Sequence, residues 1–291
     1  MTKVQAGALA GLNAFITGAT GGLGRALSRA FWSAGANLLL SGRSKDRLQQ
    51  LGHGLPAREG QTLHLVECDL AVPDGAAALV AGVRERWKRL DVLVNNAGIL
   101  GPVGPLWENE WDAWTAAMML NLMVPVQLCR SLIPLMSRGG SVINISGGGA
   151  TSPRPYFSAY GSAKAALVRF SETLAVETAP LGIRVNCIAP GIMRTRMVEQ
   201  VVEVGATLAG AQEHRKAQEV LETGGTPPET PAELAVLLAS ERGKAITGKL
   251  LSAAWDAWTD LPEHADDLSK SDVYTLRRIV PSDRGMKWGK K

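Results

Sequence analysis

Thr17-Gly18-Ala19-Thr20-Gly21-Gly22-Leu23-Gly24 decides how the rest of this chain is read. A short apolar run, Ala14-Phe15-Ile16, leads into it. The run that follows, Arg25 to Trp32, carries Leu27, Ala30 and Phe31 at near-helical spacing from Leu23. The reading is strand, glycine turn, helix. Glycines at 18, 22 and 24 remove the side chains that would hold a phosphate off the backbone, and the helix aims its unpaired N–H groups and positive dipole end at the same place. A tight turn that merely needs glycine shares the pattern. The strand-turn-helix context favours a dinucleotide pyrophosphate cradled by Thr17, Gly18, Thr20, Gly22, Leu23 and Gly24.

Outward from the turn, short apolar runs alternate with longer helical patterns. Strands are expected near 12–17, 37–41, 62–67, 90–94, 141–145, 183–188 and 249–252, and helices near 23–34, 44–51, 74–88, 108–136, 157–179 and 230–240. This alternation predicts an α/β fold: a doubly wound parallel sheet covered on both faces, with ligands beyond the carboxyl ends of its strands. The interval 192–228 breaks the rhythm; it is polar, helical in composition, and ends in Gly224-Gly225-Thr226-Pro227-Pro228. It reads as a lid with a hinge. From residue 254 the chain turns charged and proline-punctuated, so the expected division is a catalytic domain over 1–253 and an extension over 254–291.

Composition narrows the class. Of 291 residues, 46% are hydrophobic and 20% charged, enough for a large core. The net charge of +4 is spread along the chain without a basic block beyond Arg277-Arg278 and the terminal lysines, which argues against nucleic acid as a partner. Cys68, Cys129 and Cys187 lie far apart beside apolar runs and read as free thiols in a reducing compartment. There is no basic-then-apolar leader and no uninterrupted apolar stretch of membrane-spanning length, so the expectation is a cytoplasmic protein without a membrane partner. No metal-ligand spacing emerges.

The second strand ends Leu40-Ser41-Gly42-Arg43, where a dinucleotide fold meets the adenosine ribose. An acid there would bind the 2′-hydroxyl; Arg43 instead offers a permanently charged, planar donor suited to a 2′-phosphate, which predicts NADP(H) over NAD(H). Asp69 and Leu70 close the third strand, and the Asp69 carboxylate can accept from an adenine amino group or serve as a turn residue. Further on come Asn95-Asn96-Ala97-Gly98, Asn121, Tyr160-Gly161-Ser162-Ala163-Lys164, and Pro190-Gly191-Ile192-Met193-Arg194-Thr195. Tyr160 and Lys164, four apart, share a helix face. An ammonium beneath a phenol draws its pKa down towards neutrality, and such a phenol can pass a proton to a carbonyl oxygen.

Taken in order and at these intervals, the motifs resemble the short-chain dehydrogenase/reductase family of the single-domain type over about residues 10–252. The resemblance implies a Rossmann fold with a seven-stranded parallel sheet. It implies Tyr160 as general acid/base, with Lys164 tuning it and anchoring a ribose hydroxyl, and Asn121 positioning a water. Asn96, flanked by Ala97 and Gly98, would contact the adenosine-side ribose. Thr195 and the backbone near Met193, after Pro190-Gly191, would hold the carboxamide. Family members often form homodimers or homotetramers, and the implied substrate is a small secondary alcohol or its ketone.

Two departures stand out. The family's substrate-orienting serine falls here on Gly147, within Ile145-Ser146-Gly147-Gly148-Gly149. Ser146 is one residue early and faces the other way on a regular strand, so it serves only if the glycines allow a bulge; it is the expected substitute, with Thr151 and Ser158 in reserve. The other reading of Gly147 is a non-catalytic NADP-binding or assembly protein. The chain also runs on past Ile246-Thr247-Gly248 through Trp255 and Trp258. Trp107, Trp111 and Trp114 follow the fourth strand; packing explains tryptophans at such spacing better than ligand binding, leaving sugar or polyol substrates a slight preference. The glycine spacing and short extension disfavour a nucleotide-sugar epimerase or dehydratase.

Overall fold

The computed structural model describes residues 7–288; the terminal lysines lie outside them. Seven strands form the sheet: β1 (Asn13–Ile16), β2 (Asn37–Gly42), β3 (Leu63–Glu67), β4 (Leu90–Asn95), β5 (Met136–Ile145), β6 (Arg184–Ala189) and β7 (Leu250–Ser252). They lie in the order β3-β2-β1-β4-β5-β6-β7, and every pairing is parallel. The order reverses direction beside β1, which makes the crevice at the carboxyl ends of β1 and β4 the binding place of this doubly wound, Rossmann-like fold.

Helices α1 (Gly22–Ser33), α2 (Lys45–His53) and α3 (Gly75–Arg86) follow the first three strands. After β4 comes a run of α4 (Trp111–Met118), a π-turn over Met119–Met123 and α5 (Val124–Leu132). Next are α6 (Ser158–Thr178), the trio α7 (Arg196–Glu203), α8 (Gly205–Ala209) and α9 (Ala211–Thr223), then α10 (Glu229–Ala239) and α11 (Ala265–Lys270). Two cores result, as a sheet covered on both faces requires. Ile16, Leu38, Leu40, Val94 and Ile143 face Leu27, Phe31 and Leu234 of α1 and α10. Phe15, Leu39, Leu93 and Val142 face Leu79, Val83, Leu128 and Leu174 on the other side.

The expected elements appear within a few residues of their predicted bounds, with two differences. β5 starts at Met136, ahead of Gly139-Gly140, and its pairing with β4 slips register between Leu90 and Val92. The single helix expected over 108–136 is divided by the π-turn, and the run Trp111–Leu135 is long and apolar enough to cross a membrane by length and composition. Part of it, including Ala117, Leu128, Cys129 and Leu132, is buried within the protein.

The segment 192–228 folds as α7–α9. Its two ends pair with each other: Met193 bridges Gly225, Thr226 N–H donates to Ile192 O at 2.7 Å, and Arg194 N–H donates to Gly224 O at 3.3 Å. The chain beyond 254 folds back on its own sheet. Leu250 N–H donates to Tyr274 O at 2.8 Å, Lys249 Nζ donates to Ser271 O and Val273 O at 3.0 Å each, and Leu276 packs against the cluster of Ala150, Val168 and Cys187.

Candidate active site

The glycine turn between β1 and α1 is built by close backbone approach. Gly18 has φ +65°, and a Cβ there would stand 2.9 Å from Ala97 Cα; a Cβ on Gly24 would stand 2.2 Å from Gly18 O. The turn is thereby pressed against the strand end Asn95-Asn96-Ala97. Thr17 Oγ1 accepts the N–H groups of Asn96 and Ala97, both at 3.0 Å. The Asn96 amide donates to Thr17 O at 2.9 Å and Gly18 O at 3.1 Å, so both its N–H groups brace the turn. Gly22 faces Thr195, whose methyl is 3.2 Å from where a Cβ would stand, and this brings the segment after Pro190-Gly191 over the turn. Leu23 and Met193 are buried beside it.

At the end of β2, Arg43 is exposed and makes no hydrogen bond or ion pair among the described residues. Gly42 is filled by Thr20, which a Cβ would meet at 3.1 Å, and Arg25 Nε donates to Thr20 O at 3.1 Å. Asp69 is exposed, and its Oδ1 accepts the N–H of Ala71 at 2.9 Å, the turn role that its position also allowed; Leu70 is buried beneath.

The other candidates converge on Gly98. A Cβ there would stand 2.6 Å from Asn121 Oδ1 and 3.6 Å from Lys164 Nζ. Asn121 sits in the π-turn, wholly buried; its Oδ1 accepts Ile99 N–H at 3.1 Å and its Nδ2 donates to Ile99 O at 2.8 Å. Lys164, on α6, donates to Ile145 O at 2.8 Å and lies 5.6 Å from the centre of the Tyr160 ring. The ammonium is therefore tied to the end of β5, not to the phenol. Burial holds it down to about 8 and pushes the Tyr160 phenol above its usual range, against the pull of the Arg154 guanidinium. The fall in phenol pKa expected from Lys164 is not produced by these surroundings.

Ser146 continues β5 in regular register, without the bulge that its expected role required. Its N–H donates to Ile188 O at 2.8 Å, so the parallel ladder of β5 and β6 runs on without a bulge. Its hydroxyl is buried at 1% exposure and has no hydrogen-bond partner. Gly147 faces the phenol instead: a Cβ would stand 2.3 Å from Tyr160 Oη. Tyr160 fills the space that a side chain at 147 would take. Thr151 is exposed, and Ser158 Oγ accepts from Trp114 Nε1 at 3.1 Å.

α7–α9 close over this point. Tyr160 packs in a cluster with Leu100, Phe157, Val201, Ala209 and Ala217, edged by Met197 and Val198. Arg154, missed in the sequence because nothing local marks it, stands 3.9 Å over the Phe157 ring and 5.9 Å from that of Tyr160. Its Nη2 and Nε reach Glu213 Oε2 of α9 at 2.7 and 2.8 Å. Trp107 is 85% exposed, Trp111 stacks on Trp114, and Trp258 is buried in the core while Trp255 is exposed.

Residues 12–204 match the model of the short chain dehydrogenase family. Human dehydrogenase/reductase SDR family member 4 is 31% identical over 246 residues, covering 83% of this chain and 85% of its own. D-beta-hydroxybutyrate dehydrogenase of Rhizobium meliloti is 31% identical over 254 residues, covering 84% and 98%. Among solved structures, L-sorbose reductase from Gluconobacter frateurii, complexed with NADPH and L-sorbose, is 34% identical with a TM-score of 0.73, covering 84% of this chain and 95% of its own.

Proposed function

The chain belongs to the short-chain dehydrogenase/reductase family, and from that premise we propose that it interconverts a secondary alcohol and a ketone with NADP(H), Tyr160 moving the proton. The observation that carries this reading is the contiguity of the two halves of the site. Ala97 presses on the phosphate turn at Gly18, while the next residue, Gly98, touches Asn121 and faces Lys164. A dinucleotide held on the turn would thus end beside the tyrosine helix.

The residues fit such a cofactor. Thr17, Gly18, Thr20, Gly22, Leu23 and Gly24 form a cradle whose glycines leave the backbone bare, with the Thr195 methyl beside Gly22, and α1 points its N-terminus there. Arg43 is free to take a 2′-phosphate, with Asp69 and Leu70 beside the adenine. Asn96 acts by bracing the turn, and Pro190, Gly191, Met193 and Thr195 cover the carboxamide end. When bound, the dinucleotide supplies the hydride. Tyr160 donates its proton to the ketone oxygen, or takes it from the alcohol. Lys164, tied to Ile145 O, presents its remaining protons to a ribose hydroxyl. Ile99 holds the Asn121 amide at both ends, which fixes Asn121 where it would position a water for the proton path. Sealed thiols at Cys129 and Cys187 support a reducing, cytoplasmic setting.

The test is turnover by wild type and Tyr160→Phe on a panel of ketoses and cyclic ketones, headed by L-sorbose, with cofactor binding measured alongside. Y160F is expected to lose at least a hundredfold in kcat while binding NADPH as wild type does, and NADP⁺ is expected to bind more tightly than NAD⁺. Turnover unchanged in Y160F would remove the assigned role.

A further inference from the structure

A ketone reduced at this site needs a hydrogen-bond donor at its oxygen besides the phenol, and no serine supplies one. The Ser146 hydroxyl is buried on a strand face that alternates away from Gly147, and Tyr160 occupies the volume at Gly147. The neighbouring group with a donor to spare is Arg154. Its Nε and Nη2 are spent on Glu213, but Nη1 makes no hydrogen bond among the described residues. That nitrogen stands 3.8 Å from where a Cβ of Gly148 would be, one residue from the Gly147 position that faces Tyr160 Oη. Two contacts hold the fork in place: the Phe157 ring below it and the carboxylate of Glu213.

We propose that Arg154 Nη1 donates to the reacting oxygen beside Tyr160, in place of the family's serine, and that Glu213 on α9 holds it there. The inference rests on the proposed alcohol/ketone chemistry. The guanidinium stays protonated throughout: it gives a hydrogen bond and no proton, and Tyr160 remains the acid. Because its partner carboxylate lies on α9, the donor is in place only while α7–α9 are closed. A carboxylate already neutralises the cation, so the site suits an uncharged carbonyl compound better than a keto acid.

The phenol reports on the same geometry without turnover. The groups facing it are Lys164 from its own helix and Arg154 from the loop, with Glu213 behind Arg154; Met197, Val198 and Val201 of α7 are apolar. The chain has three tyrosines, so Tyr156→Phe with Tyr274→Phe leaves Tyr160 as the sole phenol for ultraviolet titration. In that background Arg154→Met is expected to raise the pH at which Tyr160 ionises, and Arg154→Lys to leave it nearer wild type. In turnover, R154M is expected to lose about a hundredfold in kcat with NADPH affinity unchanged, and added guanidinium ion to restore part of that loss in R154M but none in Y160F. An unmoved Tyr160 titration in R154M, or undiminished turnover in R154M beside an active wild type and inactive Y160F, would overturn the role of Arg154 and leave the function standing. A wild type inactive on every carbonyl tried would count against the function, with the titration still deciding whether Arg154 acts on Tyr160.

Discussion

At Gly147 the absence of a side chain is itself a structural element, because Tyr160 leans into the space. Installing the family's serine therefore does harm. Gly147→Ser and Gly147→Ala both place a Cβ where the phenol oxygen stands, 2.3 Å away, and one of the two must move. Both variants are expected to lose tenfold or more in kcat, the serine no less than the alanine, with melting temperature checked in parallel; a gain of activity in G147S would show that the phenol yields. Lys164 adds a pH dependence. Its folded value of about 8 lies below the usual 10.5, so above pH 8 the unfolded chain binds more protons and stability rises with pH, by on the order of 3 kcal/mol once the pH passes 10.5. Cys129 and Cys187, held up near 12 by burial, act oppositely from pH 9 upward. The difference in denaturation midpoint between wild type and Lys164→Met, followed from pH 7 to 10, isolates the lysine: wild type should gain on the variant as pH rises. The motif residues were legible because each is demanded by a local geometry, a glycine at a contact or a tyrosine and lysine one turn apart. Arg154 was not, since its role depends on a loop and a helix far apart in the chain.

Among the elements, α7–α9 depend most on a few backbone contacts at their base. Gly225 has φ +64° and comes within 2.3 Å of Ile192 O at the position of a Cβ, and the Met193 bridge runs through it. Gly225→Ala is expected to loosen the base, raising the KM for the carbonyl substrate severalfold and admitting limited proteolysis between 192 and 228, while the sheet melts within a few degrees of wild type. Unchanged proteolysis would mean that the closed position is held by the Arg154–Glu213 pair and the apolar cluster at Tyr160 instead. Most of the sheet and its helices were readable, because strands covered on both faces are continuously apolar and their helices keep a 3.6-residue rhythm. What escaped the reading lacks such a signature. The first residues of β5, Met136-Ser137-Arg138-Gly139-Gly140, have the composition of a turn; Met136 pairs with Leu90 of β4, and the next four residues fall in the register slip before Ser141 pairs with Val92. The π-turn at Asn121 leaves the rhythm of its helix almost intact.

For the molecule as a whole, the residues after 254 settle how the sheet ends. β7 is one of the two edge strands, and an open edge invites pairing with another chain. Here the edge is capped from within. Tyr274, at φ +59°, turns its carbonyl to Leu250 N–H, and the carbonyls of Ser271 and Val273 take the ammonium of Lys249, which is buried. Arg169 and Glu172 of α6 hold Leu276 by its backbone, and Arg277 pairs with Asp272 and Asp283 within the segment itself. A chain ending at Lys270 keeps Trp258, Leu261 and Leu268 in the core but loses this cap. The loss of these hydrogen bonds and of the Leu276 contact is expected to cost about 3 kcal/mol, or roughly 6–12 °C in Tm. Scattering and size-exclusion profiles should show the truncated chain associating through the bared edge, while the full chain does not use it. Lys249→Met in the truncated chain removes the ammonium that has lost its acceptors and should recover part of the Tm, whereas in the full chain the same change should lower it. If truncation left both Tm and association state unchanged, the contacts to β7 would be incidental and the edge protected by its short length alone.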